Sequence, residues 1–139
     1  MINWANSISL LVKNALLESR EDLRLKYKNI RKYITSLKKV RYGRNNDLKG
    51  KVVAISRDIE IADDCVWKPV VQKIVLSGGE YTAKIGKCNL YISTQNTSDS
   101  SLARERYLNL RTQNGEEILV LDREAFLQSQ EDTNEQTIG

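Results

Sequence analysis

Residues 23–41 read LRLKYKNIRKYITSLKKVR, and this stretch decides what is expected of the N-terminal third of the chain. Its apolar residues follow one another at intervals of four, three, four and three positions. That is the a/d spacing of a helix with a narrow apolar stripe. These residues, called the apolar seam below, are Leu23, Tyr27, Ile30, Ile34 and Leu37. The pattern predicts a helix whose seam has to be covered by other protein surface.

Six cations fall on one flank of the same helix, where they occupy roughly 120° of a helical wheel. These residues, called the basic flank, are Arg24, Lys28, Arg31, Lys32, Lys38 and Lys39. Such a row on a rigid helix can follow a phosphate backbone. It is also typical of the solvated face of a coiled coil, or of a docking surface for an acidic protein. The sequence offers no aromatic platform for base stacking beside the flank.

The helical pattern continues toward the N-terminus, where apolar residues recur at helical spacing through residues 8–16. No Gly or Pro occurs before Gly43, which favours one long helix over residues 1–42. Ser19 and Asp22 resemble a capping box, so a helical hairpin broken near Ser19 is the alternative. A single helix of about 36 residues would extend about 54 Å. A domain of the remaining size is only about 25–30 Å across, so we expect the seam to meet another protein.

Alternation replaces helical spacing after residues 43–50, which read GRNNDLKG and are predicted to be a linker of turn formers. The segments PVVQKIVL and EYTAKIGKCNLYI are joined by Gly78-Gly79 and are predicted to form a hairpin. Asn114-Gly115 joins RYLNLRTQ to EEILVLD and is typical of a type I′ turn.

Residues 51–127 are therefore predicted to form about five strands in a small antiparallel β-barrel or curved sheet. Residues 128–139 show no periodicity and are predicted to be a disordered tail. The predicted fold class is α+β, with a helical arm over residues 1–42 followed by this antiparallel β domain.

Charge is spread unevenly over the chain. The net charge is +4, but residues 1–51 carry thirteen basic and four acidic residues, so the remainder has a balance of −5. A basic arm on an acidic body is typical of a protein with an anionic partner. The alternative is that the two halves compensate each other within the molecule.

The sequence lacks the residue patterns of common catalytic and metal sites. The chain has no histidine, which removes the commonest general base and metal ligand and excludes a Ser-His-Asp triad. Cys65 and Cys88 lack the spacing of a zinc or redox motif and are predicted to be small core residues. Four acidic residues cluster without the register of a calcium loop and are predicted to be solvated surface: Asp58, Glu60, Asp63 and Asp64. No cofactor, metal, catalytic residue or small-molecule substrate is predicted.

The N-terminal segment MINWANSISLLV lacks the positive region of a signal peptide. Its apolar run is interrupted by Ser9, Lys13 and Asn14, so it is not expected to cross a membrane. The predicted compartment is the cytoplasm.

Two functional hypotheses follow. The first is a non-enzymatic interaction or assembly subunit, an adaptor whose N-terminal helix forms an oligomeric coiled coil or docks on a larger protein through the apolar seam. The alternative is a small nucleic-acid-binding protein that uses the basic flank within residues 24–41. The two differ in salt response, because phosphate contacts weaken steeply with salt and apolar contacts do not.

Overall fold

The computed structural model describes residues 4–95 and 98–129, which form helices and strands mixed along the chain. The helices are α1 (Trp4–Leu37), α2 (Arg57–Glu60), α3 (Asp64–Leu76), α4 (Asp99–Gln113) and α5 (residues 123–129). The strands are β1 (Val52–Ile55), β2 (Glu80–Tyr81), β3 (Leu90–Ser93) and β4 (Leu119–Asp122). In this part of the chain the strands form one sheet in the order β2-β1-β3-β4, and every pair is parallel.

The predicted antiparallel barrel is therefore wrong, because helices stand where two of its strands were expected. The segment PVVQKIVL belongs to α3, a helix of 13 residues. Its buried residues recur at helical spacing: Trp67, Val70, Val71, Ile74 and Val75. The segment RYLNLRTQ likewise belongs to α4. With helices between strands the sheet becomes parallel, as in α/β proteins.

The glycine turns end helices instead of joining hairpin strands. Ser77 is the C-cap of α3, and Gly78 follows it with a φ of 82°. Asn114 is the C-cap of α4, and Gly115 follows with a φ of 93°. Glycine adopts this left-handed conformation at little cost, which is why it suits the position after a helix as well as a hairpin turn.

The sheet is covered on both faces. Alternate residues of β1 and β3 point to one face, where they join α1, α3 and α5 in the larger core: Val53, Ile55, Leu90 and Ile92. Ala54 and Tyr91 point to the opposite face and pack with Cys88 and with Leu108 of α4. Burial on both faces explains why β1 and β3 are continuous apolar runs.

The C-terminal half of α1 belongs to the larger core. Ile30 and Leu37 are 1% and 6% exposed, and they lie in the same cluster as α3. Tyr33 of α1 meets Trp67 of α3 edge to face, with ring centroids 5.5 Å apart. This part of the helix shares its core with the sheet, so it is not the free arm that the sequence predicted.

The structure places the predicted linker and the first residues of the predicted tail against the rest of the fold. Within the predicted linker, Asn45 and Leu48 donate backbone hydrogen bonds to the carbonyls of Leu76 and Ser77, which fastens it to the end of α3. Of the predicted tail, residues 128 and 129 lie in α5, and residues 130–139 lie outside the described part. No helix among the described residues is both long enough and apolar enough to span a membrane.

Candidate functional site

A buried polar cluster fixes α1 against the sheet. Its centre is the carboxylate of Glu60, whose side chain is 1% exposed. Arg104 Nη1 donates to Glu60 Oε1 at 3.0 Å, and the Tyr27 hydroxyl donates to the same oxygen at 3.0 Å. The Tyr81 hydroxyl donates to Glu60 Oε2. These four residues, called the polar cluster, tie together α1, α2, β2 and α4.

Burial dominates the electrostatics of the polar cluster. Removal from water raises the pKa of Glu60, although Arg104 and the two tyrosine hydroxyls act in the opposite direction. Burial and the neighbouring Glu60 carboxylate raise the pKa of Tyr81. The pKa of Tyr27 is raised by the same two causes. Both tyrosines therefore stay neutral hydrogen-bond donors near neutral pH.

The two tyrosines also line an open groove of about 770 Å³ along the β2 edge of the sheet. One wall is α1, with Arg31 and Lys38, and the other is the segment 82–87 after β2, with Lys84 and Lys87. A second groove continues from it along α1 and shares Tyr27 and Arg31 with it. The second groove adds Arg20, Arg24 and Lys28. Together these two spaces are called the basic groove.

The cations of α1 in the basic groove lie on one narrow face of the helix. At 3.6 residues per turn they fall within about 80° of a helical wheel. They are Arg20, Arg24, Lys28, Arg31 and Lys38. Only Glu21 and Glu80 supply acidic groups to the lining of these two spaces. Seven cations against two carboxylates make the basic groove strongly positive.

Segment 82–87 is held in place, so Lys84 and Lys87 face α1 from a fixed wall. Thr82 donates its backbone N–H to the Val53 carbonyl at 2.8 Å. Arg111 of α4 donates from Nη1 to the Ile85 carbonyl at 2.8 Å, and it is itself paired with Glu116 at 2.9 Å. These contacts fasten the segment to both β1 and α4.

The place where open parallel sheets usually bind ligands is closed in this protein. That place is the carboxyl edge of the sheet between β1 and β3. There the connection after β1 runs to one side of the sheet, toward β2, and the connection after β3 runs to the other side, toward β4. Ser56 Oγ and Ser101 Oγ lie 2.8 Å apart there, and both residues are 0% exposed. Asp58 Oδ2 also accepts the Ser98 backbone N–H at 2.7 Å. The basic groove is therefore the better candidate site.

The apolar seam is largely used by the protein itself. Ile30 and Leu37 are buried, and Tyr27 and Ile34 pack against the same core. Leu23 is half-buried and lies nearer the N-terminus of α1 than the other seam residues. The nearby Leu25 is 57% exposed. The structure thus gives four of the five seam residues a partner within the chain. Partner binding through the seam stays a prediction.

The structure distributes the basic flank over three places. Arg24, Lys28, Arg31 and Lys38 line the basic groove. Lys32 lines a different depression on the α3 side, with Trp67 and Lys68. Lys39 lies at the C-terminal end of α1, beside Arg41 and Arg44.

Sequence reasoning missed Arg20, Lys84 and Lys87 as members of the site. Arg20 lies four residues before Arg24, so extending the helical wheel by one turn would have found it. Lys84 and Lys87 come from a segment that joins the site only through the parallel order of the sheet. No pattern within residues 82–87 indicates that proximity.

Two predictions about chemistry-bearing residues need correction. Glu60 was predicted to be solvated surface, but it is buried at the centre of the polar cluster. Cys88 is buried as predicted, whereas Cys65 is exposed. Among the described residues no group of three His, Cys, Asp or Glu side chains is placed to hold a metal ion.

Comparisons of the chain with models of known protein families, with curated proteins and with solved structures gave no match.

Proposed function

We propose that this protein binds nucleic acid through the basic groove. The proposal rests on one observation, that both walls of the groove are positively charged. Arg31 and Lys38 of α1 stand opposite Lys84 and Lys87 of the fixed segment 82–87. Three further cations on the same face of α1 extend that wall along the second groove: Arg20, Arg24 and Lys28. Phosphate contacts from Lys and Arg supply most of the affinity of non-specific nucleic-acid binding.

The dimensions of the basic groove suit a phosphate backbone. Arg20 and Lys38 are eighteen residues apart on α1, which corresponds to about 27 Å along the helix axis at 1.5 Å per residue. Phosphates of one strand of B-form DNA follow one another at about 3.4 Å along the axis. The row of cations is therefore long enough to contact several successive phosphates.

One hydroxyl group of the groove also fits this ligand. Thr82 lines the first groove and accepts the Lys84 backbone N–H at 3.1 Å, which leaves its hydroxyl proton for a ligand. The Thr35 hydroxyl instead donates to the Arg31 carbonyl at 3.0 Å. Hydroxyl side chains commonly donate to phosphate oxygens and position a protein on its nucleic acid. Glu60 lies beneath the tyrosines and is itself bonded to Arg104, so its role in this proposal is to hold the walls in place.

The assembly hypothesis has less support from the geometry. It required a seam that the protein could not cover itself, and Ile30 and Leu37 are covered by the chain's own core. The exposed Leu25 and Ile61 line a smaller depression of about 480 Å³ beside Leu23. That patch is where an assembly contact would remain available.

The proposal is tested by fluorescence anisotropy with labelled 20-nucleotide single strands and the corresponding duplex. We expect binding at about 50 mM salt that weakens about 10³-fold by 200 mM, as for a protein with six or more phosphate contacts. Arg31→Glu with Lys84→Glu removes one cation from each wall. That variant is expected to bind far more weakly, and its log–log salt slope should be smaller by about 1.4 to 1.8.

The matched control is Lys32→Glu with Arg106→Glu, which changes the net charge by the same amount. Both residues are exposed, and neither lines the basic groove. We expect this control to lose at most a small, non-specific part of the affinity. No anisotropy change of the wild-type protein at about 50 mM salt, where phosphate contacts are strongest, would refute the proposal. Equal losses in the two double variants would place binding outside the basic groove.

A further inference from the structure

Among the large apolar and aromatic side chains whose exposure the structure describes, Tyr42 is the most exposed, at 88%. It lies five residues after the end of α1, in the turn formed by residues 38–44. Its ring makes no aromatic contact with another described residue. A tyrosine that gains this little from burial presents both faces of its ring to a ligand.

The turn around Tyr42 is well held, so the exposure of the ring belongs to the folded protein. Arg44 donates from Nη2 to the Leu37 carbonyl at 2.8 Å and from Nε to the Val40 carbonyl at 2.5 Å. The Leu37 carbonyl also accepts the Val40 backbone N–H at 3.0 Å, so three hydrogen bonds hold the turn after α1. Gly43 adopts a φ of 71°, which lets the chain reverse immediately after Tyr42.

The surroundings of Tyr42 continue the basic groove. The turn forms an open depression lined by Lys38, Lys39, Val40, Arg41 and Arg44. Lys38 also lines the basic groove, so the depression adjoins that groove. Tyr42 does not line the depression but lies in the same turn, between Arg41 and Gly43. Four cations and an exposed aromatic ring occur within seven residues at this end of the site. Aromatic side chains along a positive track are the common means of holding single-stranded nucleic acid.

We infer that the ligand is single-stranded nucleic acid, and that Tyr42 stacks on an unpaired base at the end of the basic groove. This inference rests on the proposed function and adds the strand type to it. In a duplex each base is covered by its neighbours, so its face is closed to Tyr42 unless the base leaves the stack. In a single strand the face of the base is accessible to a neighbouring ring.

Tyr42→Ala is the test, with Tyr42→Phe as the variant that keeps the ring. Affinities are measured by anisotropy for oligothymidylate, oligouridylate and a duplex at the same salt concentration. We expect the wild-type protein to prefer a single strand, and Tyr42→Ala to weaken that affinity between about fivefold and a hundredfold. Tyr42→Phe should stay close to the wild type. The two homopolymers show whether the strand is DNA or RNA.

A strand with one abasic position scanned along it isolates the stacking contact. Where the missing base is the one that Tyr42 holds, wild type and Tyr42→Ala should bind with equal affinity, because neither can stack. The salt slope of Tyr42→Ala should equal that of the wild type, because no cation is lost. Since Tyr42 is exposed, Tyr42→Ala should have the same melting temperature as the wild-type protein.

The failure of this inference can be told from the failure of the proposed function. Unchanged single-strand affinity in Tyr42→Ala, or tighter binding of the duplex, would overturn the inference while leaving binding in the basic groove intact. Absence of binding to every oligonucleotide would overturn both.

Discussion

The residue on which the site depends most is Glu60, and its position shows what sequence patterns leave out. Asp58 and Glu60 were both predicted to be solvated surface. Strand β1 ends at Ile55, however, and Ser56 caps the single turn of α2 by accepting the Asp58 N–H. That turn rotates Glu60 inward, toward an arginine 44 residues later in the chain. A partner so distant in sequence cannot be found from local spacing.

The raised pKa of Glu60 predicts how its contribution to stability changes with pH. A carboxyl whose pKa is higher in the folded than in the unfolded protein binds more protons in the folded state. The contribution of Glu60 to the free energy of unfolding is fully present below the pKa that it has in the unfolded protein, about 4.3. It is lost as the pH rises through the higher pKa of the folded protein. Glu60→Gln removes this titration and keeps the shape of the side chain.

We therefore expect the wild-type protein to be more stable relative to Glu60→Gln at pH 4.5 than at pH 7. Urea unfolding at the two pH values, followed by circular dichroism, gives the two differences in the free energy of unfolding. Asp58→Asn serves as a comparison, because burial raises the pKa of Asp58 but the hydrogen bonds with Ser98 and Ser101 together outweigh it and lower that pKa. Its difference should change little between pH 4.5 and 7, because a lowered carboxyl pKa costs stability only as the pH falls below the unfolded value of about 3.9. If the difference in the free energy of unfolding between the wild type and Glu60→Gln is the same at both pH values, the buried environment assigned to Glu60 is contradicted.

At the scale of the element, α3 explains why the fold class was predicted wrongly. Its segment is rich in Val and Ile, which favour strands. The same residues also recur at three- and four-residue intervals, which places them on the buried face of a helix. Short apolar runs satisfy both patterns, and the choice is made by tertiary contacts with α1 and the sheet. Those contacts are long-range and leave no trace in the local sequence.

The burial of Ile30 predicts that α1 and the sheet unfold together. Ile30→Ala removes a fully buried side chain from the larger core and should lower the free energy of unfolding by about 2–5 kcal/mol. Leu25→Ala, on an exposed position of the same helix, should cost less than about 0.5 kcal/mol. Urea titrations read by circular dichroism and by tryptophan fluorescence provide the measurement.

Light scattering of the same two variants separates this account from the assembly hypothesis. If α1 packs on its own body, Ile30→Ala changes stability and leaves the molar mass unchanged. Loss of an oligomer in Ile30→Ala without any loss of stability would show that the seam is covered by a partner instead.

At the scale of the whole molecule, the charge distribution was the most informative part of the sequence. Five of the seven cations that line the basic groove lie within residues 1–51, where the sequence has its basic excess, and their binding of an anionic partner stays a prediction. Helical spacing also identified four of the seven cations that line the basic groove. The second wall could not be predicted, because it depends on the parallel order of strands that brings segment 82–87 beside α1. Tyr42 was overlooked because exposure is a property of the folded turn.

The measurement that tests the central claim most directly is an NMR titration of the isotopically labelled wild-type protein with a single-stranded oligonucleotide. Backbone amide signals report which surface the ligand touches, without any substitution. We expect shift changes at residues 20–44 and 82–87, with the signals of α4 and of β4 largely unaffected. Changes centred on α4 and β4, or no changes at oligonucleotide concentrations well above that of the protein, would contradict the account.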